Sequence, residues 1–422
     1  MNQSRKSRLY SGTLCPLALV VGTSIVPMSA SAAFIEDSKG SLVLRNFYIN
    51  RDFRHDTATQ SKAEEWAQGF MLNIESGYTE GPVGFGLDAL GLLGIKLDSS
   101  AARSNSGTLP FNPVTREPVD DFSNFGLTGK MRFSDTTLHV GTLQPMMPLV
   151  FRNLTRLLPT TYRGALLRSQ EIKGLDLTLM RLSNVSARDS SGYDDITIAG
   201  RPASTAGDHF DVAAVDYAWT DALKISYHYG ELKDVYSQHY AAVSHVLPLT
   251  EKLSLDTNFR YFGASDAGQA LAGEIDNQTW SVRFGLAYTG HKVTLGYQEQ
   301  SGHSGMPFQA GTDPYTVTAS TYQVFIRPEE TSWQLRYDLN FAAYGVPGLT
   351  LMARHTVGSN IERGAGLEDD REWERNIDLG YVVQDGALKG FGVLLRNVMY
   401  RSHYATDVDE NRVLLTYTMN LW

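Results

Sequence analysis

The chain has 422 residues, 42% of them hydrophobic, with 37 Lys and Arg against 46 Asp and Glu and a formal net charge of −9. That balance argues against nucleic acid as a partner. The single cysteine rules out a disulfide framework, and no later stretch is long and apolar enough to be a membrane helix.

The first element is a targeting segment. Arg5, Lys6 and Arg8 precede an apolar run from Leu14 to Val26, and Ala30-Ser31-Ala32 reads as a cleavage site. Cleavage after Ala32 is expected to leave a single domain, 33–422. It removes Cys15 and leaves 34 basic against 46 acidic residues.

Downstream, period-two alternation dominates. LSLDTNFRY (253–261), WSVRFGLAY (280–288), WQLRYDLNF (333–341) and VLLTYTMNL (413–421) each place apolar residues on one face and polar residues on the other. Eighteen strands are predicted, near 41–50, 64–76, 82–97, 125–133, 136–143, 163–169, 174–183, 207–219, 222–230, 237–247, 252–262, 277–288, 291–300, 331–342, 348–357, 371–383, 389–401 and 411–422. The connectors alternate. Long ones (51–63, 98–124, 144–162, 184–206, 263–276, 301–330, 358–370, 402–410) take turns with short ones such as 134–135, 220–221 and 289–290. This rhythm predicts an all-β, 18-stranded antiparallel transmembrane β-barrel with short periplasmic turns and long extracellular loops. Residues 316–326 (TVTASTYQVFI) also alternate. A nineteenth strand would put the termini on opposite sides, so this segment is assigned to a long loop, as a strand extension above the membrane.

Apolar parity fixes the inward set. Lys130, Arg132, Lys224, Arg260, Arg283, Arg336, Arg354, Arg396 and Arg412 fall on the lumen side, since a mid-membrane Arg or Lys facing lipid costs roughly 2–4 kcal/mol. Arg181, Arg375 and Arg401 have outward parity near strand ends, and Arg45 is ambiguous because both faces of LVLRNFYIN are mixed. Acids point inward too: Glu75, Asp88, Asp176, Asp256, Asp338, Glu374 and Asp378. Inward charge alone therefore does not establish selectivity.

One segment adds to it. From Thr136 to Gln170 there is no Asp or Glu, and LVFRNLTRLLPTTYRGALLR (149–168) holds Arg152, Arg156, Arg163 and Arg168. Its loop part is apolar and stiffened by Pro145, Pro148 and Pro159. Such a loop either folds into the pore, presenting guanidinium groups at the narrowest point, or lies across an acidic mouth as a plug. Arginine offers a permanent charge and a planar fork matching a carboxylate. Attraction in a narrow channel is screened less than in bulk water.

The sequence resembles the OprD-type substrate-specific outer-membrane porins. The likeness rests on FIEDS with LVLRNFYINRD (34–52), VGFGLDALGLLGIKLD (83–98), GTLQPMMPLVF with RLLPTTYRG (141–164) and YDLNFAAYGVPGLTLMARH (337–355), in that order. YGELKDVYSQHY (229–240), EWERNIDLGYVVQDGALKGFG (372–392) and DENRVLLTYT (409–418) are most similar to the branch associated with benzoate- and vanillate-like acids. The resemblance implies eighteen strands, a constriction made by the third and fourth long loops, a basic ladder on the wall, and passive diffusion of carboxylate-bearing solutes with no cofactor. It implies Arg156 and, in the fourth loop, Arg188 at the constriction, with Lys130, Arg132, Arg354, Arg396 and Arg412 in the ladder. His139 stands where the family often has lysine, and Leu394 where a ladder arginine can stand. Expected partners are small anionic solutes, outer-membrane lipid and lipopolysaccharide, and the barrel assembly machinery, for which Trp422 supplies a terminal aromatic. By parity Trp422 points inward.

Other readings are a basic amino acid or peptide porin of the same family, a broad unselective pore, a soluble sugar-binding β protein, and an outer-membrane hydrolase. The last would need a nucleophile, a base and an orienting acid. GHSG (302–305) lacks the G-x-S-x-G spacing and no H-E-x-x-H occurs.

Overall fold

The computed structural model describes residues 34–54, 58, 60–364 and 370–422. The expected targeting segment, 1–32, lies outside them. Eighteen barrel strands occur: β1 Lys39–Phe53, β2 Lys62–Glu75, β3 Val83–Asp98, β4 Asp121–Phe133, β5 Thr136–Leu143, β6 Thr161–Ser169, β7 Leu175–Ser186, β8 Phe210–Ala218, β9 Leu223–Leu232, β10 Tyr236–Pro248, β11 Leu253–Asp266, β12 Asp276–Tyr288, β13 His291–Ser301, β14 Thr331–Asn340, β15 Leu349–Ile361, β16 Asp370–Val382, β17 Gly392–Ser402 and β18 Val408–Asn420. Each pairs antiparallel with its chain neighbour, and β1 also pairs with β18 from Ser41↔Asn420 to Phe53↔Val408. The sheet is closed. In hydrocarbon every backbone N–H and C=O needs a partner within the protein, and closure leaves no edge strand unpaired.

The alternating sequences lie where their period puts them. On β14, Trp333 and Leu335 are more than half exposed on the outer wall, whereas Ser332 and Gln334, which alternate with them, are buried. Trp280, Tyr297 and Trp333 pack in tilted contact across three neighbouring strands, with ring centroids 5.1 and 4.5 Å apart. Such outward rings belong at a membrane interface, where an amphipathic aromatic is favoured. Arg181, Arg375 and Arg401 face outward as expected, and Arg181 is neutralised by Asp211 at 2.6 Å.

Most expected strand ends shift by one to four residues, and two of these shifts have a visible cause. The strand expected at 331–342 stops at Asn340, whose side chain accepts from the Ala342 N–H at 3.0 Å and caps a 3-10 turn, Phe341–Tyr344. Trp422 lies beyond the last strand, so parity does not govern it. Its Nε1 donates to Ser38 Oγ at 2.9 Å and its ring covers Gly40, where a Cβ would sit 2.7 Å from the indole.

The lumen is not an empty tube. The third long loop (L3, 144–160) crosses it and is pinned at both ends by its apolar residues. Leu149 and Val150 enter a cluster with Tyr162, Leu182, Phe210 and Tyr236. Leu157 and Leu158 enter a second cluster with Phe47, Ile49, Met71 and Phe122 on the opposite wall. Each anchor rests on a wall glycine. A Cβ at Gly230 would meet Leu149 Cδ1 at 2.9 Å, and one at Gly69 would meet Leu157 at 3.1 Å. The apolar character of L3 is thus the means by which it is held inside.

Two further loops are held by carboxylates on the wall. Glu65 of β2 accepts from the Ser106 and Thr108 N–H groups at 3.2 and 3.3 Å and anchors loop 99–120. Glu374 of β16 accepts from the Thr321, Tyr322 and Gln323 N–H groups at 2.7–3.2 Å and anchors loop 302–330 (L7). Residues 316–326 therefore form no strand extension above the membrane. They fold down into the lumen, where three consecutive backbone donors find one buried carboxylate.

Leu157 is fully buried, and truncating such a leucine costs about 2–5 kcal/mol locally. The Leu157→Ala variant is expected to keep its heat-modifiable mobility on detergent gels, because the strand ladder is untouched. Its single-channel conductance should be larger and noisier than wild type, because one end of L3 is released. A quiet trace of unaltered amplitude would show that Leu157 does not fix L3.

Candidate functional site

L3, the fourth long loop (L4, 187–209) and L7 converge on a cavity of about 560 Å³ beside the β15–β18 wall. Arg156, Arg188, Arg354, Arg396 and Arg412 line it, opposed by Asp189 and Asp313. Five guanidinium groups thus meet two carboxylates.

Loop backbone holds much of this arrangement in place. Arg156 Nε donates to the Ser106 carbonyl at 3.1 Å and its Nη1 to the Thr155 carbonyl at 3.0 Å. Arg188 Nη1 donates to Asn153 Oδ1 and Thr155 Oγ1 at 2.9 and 2.8 Å. Asn153 in turn donates to Asp313 Oδ1 at 2.7 Å, which ties L3, L4 and L7 together. From the wall, Arg354 donates to the Ala319 carbonyl at 3.1 Å and to Thr321 Oγ1 at 3.0 Å. Arg412 reaches the Thr155 carbonyl at 3.3 Å.

Pairing separates the cations into two groups. Within the barrel wall most are neutralised: Lys130 by Asp88 at 2.7 Å, Arg336 by Asp338 at 2.6 Å, Arg396 by Asp378 at 2.5 Å, and Arg412 by Glu410 at 2.5 Å. Among the described residues, Arg156, Arg188 and Arg354 make no ion pair with an acid and are held by carbonyl, hydroxyl and amide oxygens instead. Burial pulls the guanidinium of Arg156 well below its ordinary pKa, and nearby Arg412 adds to the effect; burial also lowers that of Arg188. Arginine remains charged at neutral pH despite such shifts. Burial also raises the Asp313 carboxyl, against the pull of Arg188, Arg156 and Arg412.

The expected site residues divide as follows. Arg156 and Arg188 line the cavity. Arg152 lies at the seam between L3 and L7, paired through its backbone with Thr312, with its side chain on Gln144. Arg168 is inward but lower, beside Asp176 at 2.9 Å. Arg163 is a correction: it is on the outer wall, its guanidinium 4.0 Å from the Tyr193 ring centroid. Neighbouring Tyr162 and Leu166 fill the inward positions of β6, so the intervening side chain must face outward. The ladder candidates Lys130, Arg132, Arg260, Arg283, Arg336, Arg354, Arg396 and Arg412 all have inward positions. Arg132 stacks on Tyr78 at 4.5 Å and Arg260 on Tyr315 at 4.0 Å, and Arg283 stands 3.8 Å from Asp256.

Sequence reasoning left Arg45 undecided and missed Arg51, Asp313 and Tyr322. Arg45 points inward and donates to the Leu154 carbonyl at 3.2 Å. Arg51 shares Glu410 with Arg412, at 2.7 Å, and stacks on Tyr322 at 5.0 Å. Extending the β1 alternation past Asn50 would have placed Arg51 beside the inward Ile49.

A closed membrane-spanning barrel whose inward-folded loops meet at an arginine-lined cavity defines an outer-membrane channel. The family described as "outer membrane porin, OprD family" matches residues 32–421, and the chain belongs to it. The chain is 36% identical to the porin-like protein GalP of Pseudomonas putida, over 97% of this chain and 99% of that one. Among solved structures it is similar to Pseudomonas aeruginosa OccK9 (OpdG), with 41% identity and a TM-score of 0.90. It is also similar to P. aeruginosa OpdK with vanillate, with 37% identity and a TM-score of 0.87; both matches cover 92% of this chain and all of the other.

The base of L7 offers a test of how that loop is held. Glu330, just outside β14, is fully buried and faces Glu372 at hydrogen-bonding reach, with Arg327 close by. Glu372 also accepts from Tyr400 and, at 2.6 Å, from Tyr404. Burial first, and then the facing carboxylate, raises the Glu330 pKa. A carboxyl raised in the folded state stabilises its surroundings at pH below the ordinary glutamate value. That contribution is lost as pH rises through the raised pKa. Wild-type conductance noise should therefore increase on the alkaline side and remain low at acidic pH. The Glu330→Gln variant should be quiet at both; equal pH dependence in the two would remove this pair as the cause.

Proposed function

We propose that the channel conducts small carboxylate-bearing solutes by passive diffusion and prefers aromatic monocarboxylates. The observation that carries this reading is the five-to-two excess of guanidinium over carboxylate around the cavity of about 560 Å³. An incoming anion exchanges part of its hydration for guanidinium hydrogen bonds, which are charge-assisted and roughly twice as strong as neutral ones. The site must also release the anion. Arg396 and Arg412 keep their own acids, which weakens the hold on a visiting carboxylate, and successive moderate sites conduct better than one deep site. The aromatic preference is supported by similarity to OpdK, whose solved structure includes vanillate, an aromatic carboxylate, and by the aromatic Tyr322 at the cavity.

Two measurements test the reading. In liposomes carrying the pure protein, benzoate-like acids should enter faster than basic amino acids; the reverse order would move the substrate class to amine-bearing solutes, with Asp313 as the attracting group. In planar bilayers, Arg156→Ala should enlarge the conductance and lower the anion-to-cation permeability ratio. An unaltered ratio would remove Arg156 from the selective step.

A further inference from the structure

The arginine rung on the β16–β18 wall has an unexplained neighbour. Arg412 stands directly opposite Arg396, which stands opposite its acid Asp378. One inward position closer to the periplasm the same strands carry Leu414, Leu394 and Gly380, again directly opposite one another. Met352 adjoins this row, opposite Asp378. These apolar positions face an aqueous lumen. Leu414 packs partly against the cluster that anchors L3, but Leu394 and Met352 belong to neither apolar cluster. Both are half-buried, and both line a second cavity of about 570 Å³ below the constriction, together with Arg336. Packing therefore does not account for leucine at 394.

The geometry suits a ring. Gly380 leaves the wall flat beside Leu394: a Cβ there would approach Leu394 Cδ1 to 3.7 Å and Thr350 Oγ1 to 2.9 Å. Inward positions on one strand are about 7 Å apart. That matches the reach from a carboxylate to the far edge of its attached benzene ring. We propose that Leu394, Leu414 and Met352, with the flat wall at Gly380, form an apolar subsite that takes the ring of an aromatic monocarboxylate while its carboxylate is on Arg396 and Arg412. The inference rests on the proposed carboxylate function and deepens it. A solute with a second charge on the ring edge, or with no ring, gains nothing at this subsite. Removing apolar area from water supplies the discrimination, and the adjoining arginine rung fixes the orientation, carboxylate toward the cell exterior.

The test is the ratio of benzoate to acetate uptake into liposomes, for wild type and for Leu394→Gln, Leu414→Gln and Leu394→Met. Heat-modifiable mobility serves as the folding control. The two glutamine variants are expected to lower the benzoate-to-acetate ratio by on the order of tenfold while acetate uptake is kept. Leu394→Met, which stays apolar, should retain the wild-type ratio. Folded glutamine variants with an unaltered ratio would overturn the subsite and leave the carboxylate reading standing. A wild-type channel that does not favour carboxylates would overturn both. Should Leu414→Gln disturb the L3 anchor, Leu394→Gln alone decides, since Leu394 touches no loop cluster.

Discussion

The pairing of β1 with β18 determines which way every strand side chain points. Once the ladder closes, alternation leaves no freedom: each residue faces either lipid or lumen, and a one-residue slip would exchange the two sets completely. With Phe47 and Ile49 facing inward, Arg45 and Arg51 must do so too. The same argument runs around the barrel to Arg412, Arg396 and Arg354. Their convergence on one cavity follows from the register and needs no separate folding event. The loops then need only be brought to that wall.

Inward carboxylates perform two different tasks, and the difference explains how an acidic protein presents a cationic passage. Some neutralise wall cations: Asp88, Asp176, Asp338 and Asp378 each hold a lysine or an arginine. Glu65 and Glu374 instead accept loop N–H groups, so their negative charge is turned toward backbone dipoles. A loop folded into a lumen has donors that neither a strand partner nor bulk water serves, and an unsatisfied buried N–H costs about 1–3 kcal/mol. Using carboxylates for this purpose places them behind the loops, away from the conducting space. The guanidinium groups of Arg156, Arg188 and Arg354 are left facing it, held by carbonyl and hydroxyl oxygens.

Strand number, connector rhythm and the inward direction of the ladder were legible in the sequence, because a two-residue period against lipid is a strong constraint. Arg163 was legible as well: it stands five residues from Arg168 on one strand, and an odd spacing forces opposite faces. The error came from treating 149–168 as one basic segment when it spans a loop and a strand. Arg45 was ambiguous for a different reason. The L3 leucines cover the inner face of β1, so that face is apolar as well, and hydropathy no longer separates lumen from lipid. The fold of L7 was hidden most deeply. TVTASTYQVFI alternates as a strand does, yet its partner is one glutamate at 374, some fifty residues on, and no local pattern encodes a pairing of backbone donors with a single distant side chain.

The two apolar clusters flanking L3 carry a consequence for selectivity. A loop fixed at one end would sample the lumen, and guanidinium groups on it would average over many positions. Fixed at both ends, with Leu149 on one wall and Leu157 on the other, L3 holds Arg156 at a defined place relative to Arg412. Electrostatic discrimination in a narrow passage depends on that preorganisation, because a displacement of a few ångströms readmits water and restores screening. Hydrophobic anchoring is therefore a precondition of the proposed ionic selection: the leucines of RNLTRLLP hold Arg156 in place.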